Sequence, residues 1–522
     1  MAYARIKIMK TGIIPMTQSG AILGRPGQYK SPPFLMMPGN PVLEEVTLYD
    51  FQVNEIPEPE DLNNIPEDYG KELVVVSPRT AKAYTYYCNL DADADWDDTP
   101  MWNSSSTTSE KKACLEARNM TGDGSQTNPW KNLTYALEQL QCFVETQCCR
   151  YIRLVCTGTA HYTVCAYSSV TYRNTDFSGN GIFILDGANM EFSRDGFYVV
   201  FYGFNSCDNS IFYNCTAEAA TTEEINNNAN VYGFYYCRNS IFYNCTAKAM
   251  TKASSIGANL YGFYSCNNSI FYNCTVNTNC SGTGFSANNS VFYNCTTNYD
   301  NSEFIIYREF ISFSGNSRNY FYNCEANYSR NIRTQQHYGY LSNCSSYYNC
   351  TVNINGSGYD SFYGFSCSTC NFYNCNVILK ITNNEEDNIN SAYIYGFNSS
   401  SNSIFFNTTV DIDLKQKSSR DVYNYCHFID NSYDDTFYNC YARIKQTVET
   451  SSDAATVESK GFFCSDSNIY NCNYSLSSVA KATPNENGSF WEYEYECGIY
   501  CDGECQAGYR CERRTEEGTE TC

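Results

Sequence analysis

Phe212-Tyr213-Asn214-Cys215-Thr216 returns almost letter for letter as Phe242-Tyr243-Asn244-Cys245-Thr246, Phe271-Tyr272-Asn273-Cys274-Thr275 and Phe292-Tyr293-Asn294-Cys295-Thr296. Weaker copies end at Cys324, Cys350, Cys375, Cys440 and Cys472, and one decays to Phe405-Phe406-Asn407-Thr408. Successive copies lie 21 to 33 residues apart, a period that marks a stacked-repeat architecture. A second phrase, Gly-Phe-x-x-Cys, precedes many copies, as in Gly233-Phe234-Tyr235-Tyr236-Cys237, and its cysteine lies eight residues before the next at 207/215, 237/245, 266/274, 367/375 and 464/472. The unit is fixed in its core and elastic between cores, as a coil with rigid strands and one variable loop should be.

The phrases are rich in Phe, Tyr, Ile, Val and Thr, which suit a pleated surface, while Asn-Ser and Asn-Asn pairs supply bends. A parallel β-solenoid follows, with identical residues stacked ~4.8 Å apart in ladders. The expected ladder residues are Cys215, Cys245, Cys274 and Cys295 with Asn214, Asn244, Asn273 and Asn294. Each Asn should bond to its neighbours above and below from a buried turn. The solenoid should fill residues 145–480 with about twelve coils, ~55–60 Å long.

The chain of 522 residues carries 16% aromatic and 17% charged residues and a net charge of −22, which argues against general nucleic-acid binding. No run of 18 apolar residues spans a membrane, and Met1-Ala2-Tyr3-Ala4-Arg5 lacks the apolar core of a secretory signal. Thirty cysteines would ordinarily indicate oxidation. Here in-register cysteines on parallel strands project side by side, a poor disulfide orientation. Buried, mostly reduced ladders are the first expectation, with some cross-coil disulfides as the other.

Residues 1–43 hold six of the 13 prolines, five basic residues and no acid; residues 44–70 then hold nine acids and no Lys or Arg. With apolar patches at Ile13-Ile14 and Phe34-Leu35-Met36-Met37, residues 1–43 read either as a disordered leader or as a docking arm that orders on a partner subunit. Residues 1–70 are thus an extended arm with an acidic linker, and 71–118 a small connecting module with a strand at Leu73-Val74-Val75-Val76. Asp91, Asp93, Asp95, Asp97 and Asp98 alternate as calcium ligands can, but Trp96 replaces the glycine of an EF-hand loop and the closing Glu is absent. A solvated acidic loop is the stronger expectation, calcium the lesser; no other cofactor and no other metal site is expected.

In 119–144, Thr121-Gly122-Asp123-Gly124-Ser125 leads to Asn128-Pro129-Trp130 and then Leu133, Ala136, Leu137 and Leu140. Asn128 suits an N-cap, Pro129 a first helical position, and the spacing gives one buried stripe. This glycine-rich turn, Asn-Pro-aromatic step and short helix, followed by strand-like runs at 151–156 and 182–185, resemble the entry to right-handed parallel β-helices of the pectate-lyase-like superfamily. The resemblance covers roughly 119–480. It implies a helix that covers the first coil's open edge, and it leaves activity open, since the superfamily includes lyases, hydrolases, phage tailspikes and non-catalytic surface proteins. The fold class is therefore all-β: a right-handed parallel β-helix with an extended N-terminal arm and, at 481–522, a linker and a small Cys-rich tail containing Cys497, Cys501, Cys505, Cys511 and Cys522.

Catalytic parts are few. His161, His337 and His427 are scattered, and no nucleophile elbow, phosphate loop or His-Glu-x-x-His is present. Asp411 and Asp413 share a strand face, with Asp430, Asp434 and Asp435 about one coil later; paired carboxylates are what glycoside hydrolysis needs, but such acids are more often solvated. Asn-x-Ser/Thr triplets occur in the repeat and also at Asn103, Asn119 and Asn132, the latter three expected to be the better glycan acceptors. The leading reading is a non-catalytic virion surface protein (tailspike, fibre or decoration protein), anchored by residues 1–43 to other virion subunits, with a homo-oligomer such as a trimer and a host glycan as further partners. A cell-surface or extracellular adhesin or filament subunit is the alternative, and a polysaccharide lyase or hydrolase the third.

Overall fold

The computed structural model describes residues 41–53, 74–91 and 122–140 apart from 134, 135 and 138. From 151 onward it describes all but 166–169, 172–181, 196–198, 222–228, 252–257, 301–309, 330–336, 357–360, 384–390, 399, 453, 483–490, 503–511, 516–517 and 522. The architecture is an all-β parallel solenoid of three sheets with 14, 12 and 14 strands. The 12-stranded sheet takes one strand from each coil. One coil shows the plan. The strand Ile241–Tyr243 lies in the first sheet, Asn244 and Cys245 turn the corner, and Thr246–Thr251 lies in the second sheet. After the variable loop, Ala258–Tyr264 lies in the third, and Ile270–Tyr272 re-enters the first in register with Ile241–Tyr243.

The corner works because of asparagine. Asn214, Asn244, Asn273, Asn294, Asn323, Asn349, Asn374, Asn407, Asn439 and Asn471 all sit in the left-handed region, with φ between 46° and 53°. Asparagine tolerates that region better than other residues with a Cβ. Each side-chain Nδ2 from Asn244 to Asn407 donates to the Oδ1 of the Asn one coil earlier at 3.0–3.3 Å, and backbone N–H groups close the same turns, as Asn273 to the Tyr293 carbonyl at 2.9 Å. The expectation of a buried Asn ladder is corrected: Asn214, Asn244, Asn273 and Asn294 are exposed, because a left-handed corner points its side chain outward. The next residue turns inward. Cys215, Cys245, Cys274, Cys295, Cys324, Cys350 and Cys375 occupy one register position on successive coils and are fully buried. Their thiols donate to carbonyls, as Cys245 to Tyr243 at 3.4 Å and Phe212 at 3.6 Å. Every cysteine whose side chain is described is a free thiol, and all of these but Cys344 are buried.

Two aromatic ladders fill the interior. Phe212, Phe242, Phe271, Phe292, Phe321, Tyr347, Phe372, Phe405 and Phe437 stack at 4.7–5.0 Å. Phe204, Phe234, Phe263, Phe285, Phe313, Tyr340, Phe365 and Phe397 stack at 4.6–5.1 Å. The two ladders meet edge to face, as Phe242 with Phe263 at 5.4 Å and 78°, the geometry the ring quadrupole favours. Where Tyr replaces Phe, its hydroxyl finds an acceptor: Tyr340 donates to the Cys324 carbonyl at 2.9 Å, and Tyr347 bonds to Ser342. The repeated glycine answers a close approach, since a Cβ on Gly233 would stand 2.7 Å from both the Gly262 carbonyl oxygen and the Ala247 Cβ.

The N-terminal end departs from the sequence reading. Strand β1 (Val42–Val53) pairs antiparallel with β2 (Val74–Asn89), and β2 joins the first sheet in parallel with β3 (Tyr151–Thr157). Residues 42–53 are therefore strand where a linker was expected, and β2 is a rung of the solenoid where a separate module was expected. The hairpin climbs the outside of the first sheet: the Thr47 carbonyl accepts from Tyr213 at 2.9 Å, and the Tyr49 carbonyl accepts from Tyr243, one coil on, at 3.1 Å. Val46 and Leu48 thereby bury Ile184, Ile211 and Ile270. Trp130 stacks on Tyr86 at 5.2 Å, and Leu133, Ala136, Leu137 and Leu140 are buried on helical backbone. That helix begins later than expected. Asn128 lies in a bend and Pro129 outside any helix, while Trp130 forms a β-bridge, exchanging backbone bonds with Tyr87 and Asn89; among the described residues it is the Asn132 carbonyl that accepts the first helical bond, from Ala136 at 3.0 Å. At the other end, Trp491–Asp502 continues the third sheet in parallel where the end of a linker and the start of the Cys-rich tail were expected.

The corner makes a graded prediction. Replacing Asn273 with Gly keeps the left-handed turn and loses the amide bonds, about 1 kcal/mol; Ala also places a Cβ in the left-handed region, about 1–2 kcal/mol more. Hydrogen exchange at 271–275 should accelerate in the order Asn, Gly, Ala. Equal exchange in the Gly and Ala variants would remove the backbone half of the account.

Candidate functional site

The Gly-Phe step disturbs strand alternation in the third sheet. In Tyr232-Gly233-Phe234-Tyr235 the two central residues are buried and the outer two half-exposed, so residues i and i+3 share the outer face, and the Tyr232 and Tyr235 rings touch at 4.7 Å. Repetition builds an outward strip in which Tyr338, Tyr363, Tyr395, His427 and Lys460 follow one another in register. Tyr338 stacks on Tyr363 at 4.8 Å and Tyr363 on Tyr395 at 5.4 Å; Tyr395 then meets His427 edge to face at 5.2 Å. Beside it, Tyr393 stacks on Tyr425 at 5.2 Å.

The strip ends in a charged cluster. His427 Nδ1 lies 3.3 Å from Asp430 Oδ1, and Nε2 lies 3.1 Å from Glu458 Oε1; a ring carrying hydrogen on both nitrogens donates to both. Lys460 pairs with the same Glu458 oxygen. Burial pushes the Glu458 carboxyl up, but the hydrogen bonds from His427 and Lys460 outweigh it and hold the group below its usual range. A register irregularity between Ile429 and Ser432 follows directly. Nothing in the sequence spacing links 427, 430 and 458, because an i, i+3 pair on a regular strand would point to opposite faces.

The other expected site residues are dispersed. Asp411 and Asp413 lie on Thr409–Ser418 of the second sheet, away from the third sheet that carries Asp430. Asp411 accepts from Arg443 Nε at 2.7 Å, and Asp413 stands in register between Lys380 and Lys445. The half-exposed ion pair of Asp411 with Arg443 is of a kind that contributes little, whereas Asp413 Oδ1 is buried without a hydrogen-bond partner among the described residues. Asp434 occupies a left-handed turn with φ 56°. Asp435 is buried, accepting from Ser432 Oγ at 2.6 Å and the Ser403 N–H at 2.7 Å, and burial raises its carboxyl to about 6. The five aspartates thus form no common constellation.

Asp91 Oδ1 accepts the Thr159 N–H at 3.0 Å; Asp93 and Asp95 lie outside the described residues, as do Ile13, Ile14, Phe34, Leu35, Met36, Met37, Asn103 and Asn119. Among the described residues, no three His, Cys, Asp or Glu side chains gather as a metal-holding group, and no helix is long and apolar enough to cross a membrane. Asn132 is buried, which corrects its standing as an accessible glycan acceptor. A cleft of about 310 Å³ opens between the hairpin and the first coils, lined by Glu45, Val46, Thr47, Tyr49, Arg153, Asp186 and Tyr213. The fold defines a parallel β-solenoid with a tyrosine strip on its flank. No protein-family model, curated protein or solved structure matches the chain.

His337 supplies a pH test. It replaces phenylalanine in an interior column, between Phe310 and Phe362 in register, and is fully buried. Burial lowers its pKa from 6.5 to about 3, so the folded chain holds the neutral ring while protons favour the unfolded chain. Its stabilising contribution is intact above the free imidazole's pKa and is lost as pH falls from about 6.5 toward 3. His337→Phe should therefore melt progressively higher than the wild type as pH drops from 7.5 to 4.5. Parallel melting curves across that range would contradict the assignment.

Proposed function

We propose that the chain is a non-catalytic structural rod on a virion surface, resembling a phage tailspike or fibre protein, anchored through residues 1–43 and presenting the flank of its solenoid to a surface or a glycan. The observation that carries this reading is the continuity of the Asn ladder from Asn214 to Asn407. Coils bonded alike at every step give a stiff, uniform body, and the weakly charged, tyrosine-rich flank suits amphipathic contact. The pairing of Asp411 with Arg443, and the separation of Asp411 and Asp413 from Asp430 on another sheet, weigh against the hydrolase reading. Recovery of the chain with purified virions supports the proposal; recovery only with a cell-envelope fraction turns it toward an adhesin or filament subunit.

Glycan contact has a geometric condition. Inside a ladder each tyrosine face is covered by the next ring, leaving edges and hydroxyls outward. A sugar stacks only where the ladder ends. Tyr393 is such an end: it stacks on Tyr425 on one side, faces Ser361 in register on the other, and is 38% exposed. Tyr363, covered by Tyr338 and Tyr395 on its two sides, is the matched interior ring. On a glycan array, Tyr393→Ala should weaken binding about fivefold or more, from the loss of ~1 kcal/mol of stacking, while Tyr363→Ala leaves it nearly unchanged. Equal losses in both variants would defeat the ladder-end argument.

A further inference from the structure

The last four strands of the second sheet differ from the strands before them. Earlier in that sheet Lys248 pairs with Glu218, and Asn277, Asn298, Asn327 and Asn353 then form an outward asparagine ladder, each bonded to the one before at 2.8–3.1 Å. In Asn376–Asn383, Thr409–Ser418, Tyr441–Thr450 and Asn473–Lys481 that column breaks at Ile378, and cations take over the face. Lys380, Lys415, Lys417, Arg443, Lys445 and Lys481 all fall on the outward alternation, against Asp411, Asp413 and Glu449. Six cations against three acids give this face a net positive charge in a chain of −22.

Half of the cations are spoken for. Arg443 pairs with Asp411 at 2.7 Å, and Glu449 is shared by Lys417 at 3.4 Å and Lys481 at 3.3 Å. Lys380, Lys415 and Lys445 are exposed and make no ion pair among the described residues. Asp413 stands in register between Lys380 and Lys445, yet its Oδ1 is buried and neither ammonium bonds to it. The cations spread in two dimensions: at ~4.8 Å per coil and ~3.3 Å per residue along a strand, they cover roughly 14 by 20 Å. Ile378 and Tyr441 are exposed on the same face. A linear polyanion would follow one line across this grid and meet an acid on the way. A plane of negative headgroups meets all the cations together and has an interfacial layer that takes isoleucine and tyrosine side chains. Salt screens the acidic remainder of the chain beyond ~8 Å, so this face governs a close approach. We propose that the outward face of these four strands docks on an anionic lipid surface, with Lys380, Lys415 and Lys445 against the headgroups and Ile378 and Tyr441 in the interfacial layer. The contact goes beyond the rod reading and depends neither on residues 1–43 nor on the tyrosines of the third sheet.

The test is co-sedimentation of the full chain with vesicles of phosphatidylcholine alone or mixed with phosphatidylserine, at low and at high salt. The wild type should bind the mixed vesicles, release them at high salt and leave pure phosphatidylcholine unbound. Lys380→Gln, Lys415→Gln and Lys445→Gln together should weaken partitioning about a hundredfold, from the fivefold per cation that ~1 kcal/mol implies. Arginine at the same three positions should keep it. Ile378→Asn, which leaves the charge unchanged and restores the residue of the ladder, should weaken it severalfold. Melting curves check that the variants fold, and the single Gln variants, at about fivefold each, serve if the triple does not. Equal binding to both kinds of vesicle overturns the inference, and so does binding unchanged by the Gln variants. Capture by soluble heparin without capture by mixed vesicles overturns it too, in favour of a linear polyanion. Recovery with virions is a separate measurement, so failure here leaves the rod reading standing.

Discussion

Everything in this molecule depends on a corner residue that must do two things at once. It must adopt a left-handed backbone, and it must satisfy its neighbours above and below with one short side chain. Glycine would do the first alone, and glutamine would reach too far for the second. Asparagine does both, so the same residue recurs at the corner after the first-sheet strand through coil after coil, with φ near 50° and its amide bonded to the coil before. Once that corner is set, the following cysteine turns inward and the preceding Phe-Tyr pair is placed with Phe inside and Tyr outside. The aromatic ladders are consequences of the corner geometry repeated in register.

The interior differs from an ordinary globular core in having translational order. A ring at one level finds the same ring one level away, so the contact that stabilises one coil is reproduced in the next. Stability in such bodies is close to a sum of nearest-neighbour terms. Exceptions to the pattern are informative for that reason. Tyr340 and Tyr347 show that the column accepts a hydroxyl when a carbonyl or serine is at hand. His337 carries a titratable ring into a position that phenylalanine fills on either side.

How much of this the sequence disclosed follows from the range of the interactions. The solenoid, its ladders and its elastic loop were legible because the information is local and written many times. The exposure of the Asn corners was not, since outward projection comes from a left-handed backbone that letters do not display. The hairpin of β1 and β2 escaped because its partners, Tyr213 and Tyr243, lie 166 and 194 residues away in the chain. The His427 cluster escaped for a different reason: the Gly-Phe step breaks the two-residue period by which strand faces are assigned, and Glu458 joins from the next coil. The helix cap was misplaced by four residues because Trp130 was drawn into a backbone bridge with β2.

The separation of a constant core from a variable loop has a consequence for how such a chain changes over generations. A coil is closed by bonds to the coils on either side, and those bonds look alike along the repeat region. Unequal crossing-over between two copies of the repeat in the gene would therefore insert or excise a complete rung without disturbing the faces of those that remain. The solenoid would lengthen or shorten in steps of ~4.8 Å, making its length a quantised trait that can vary independently of the residues on its faces.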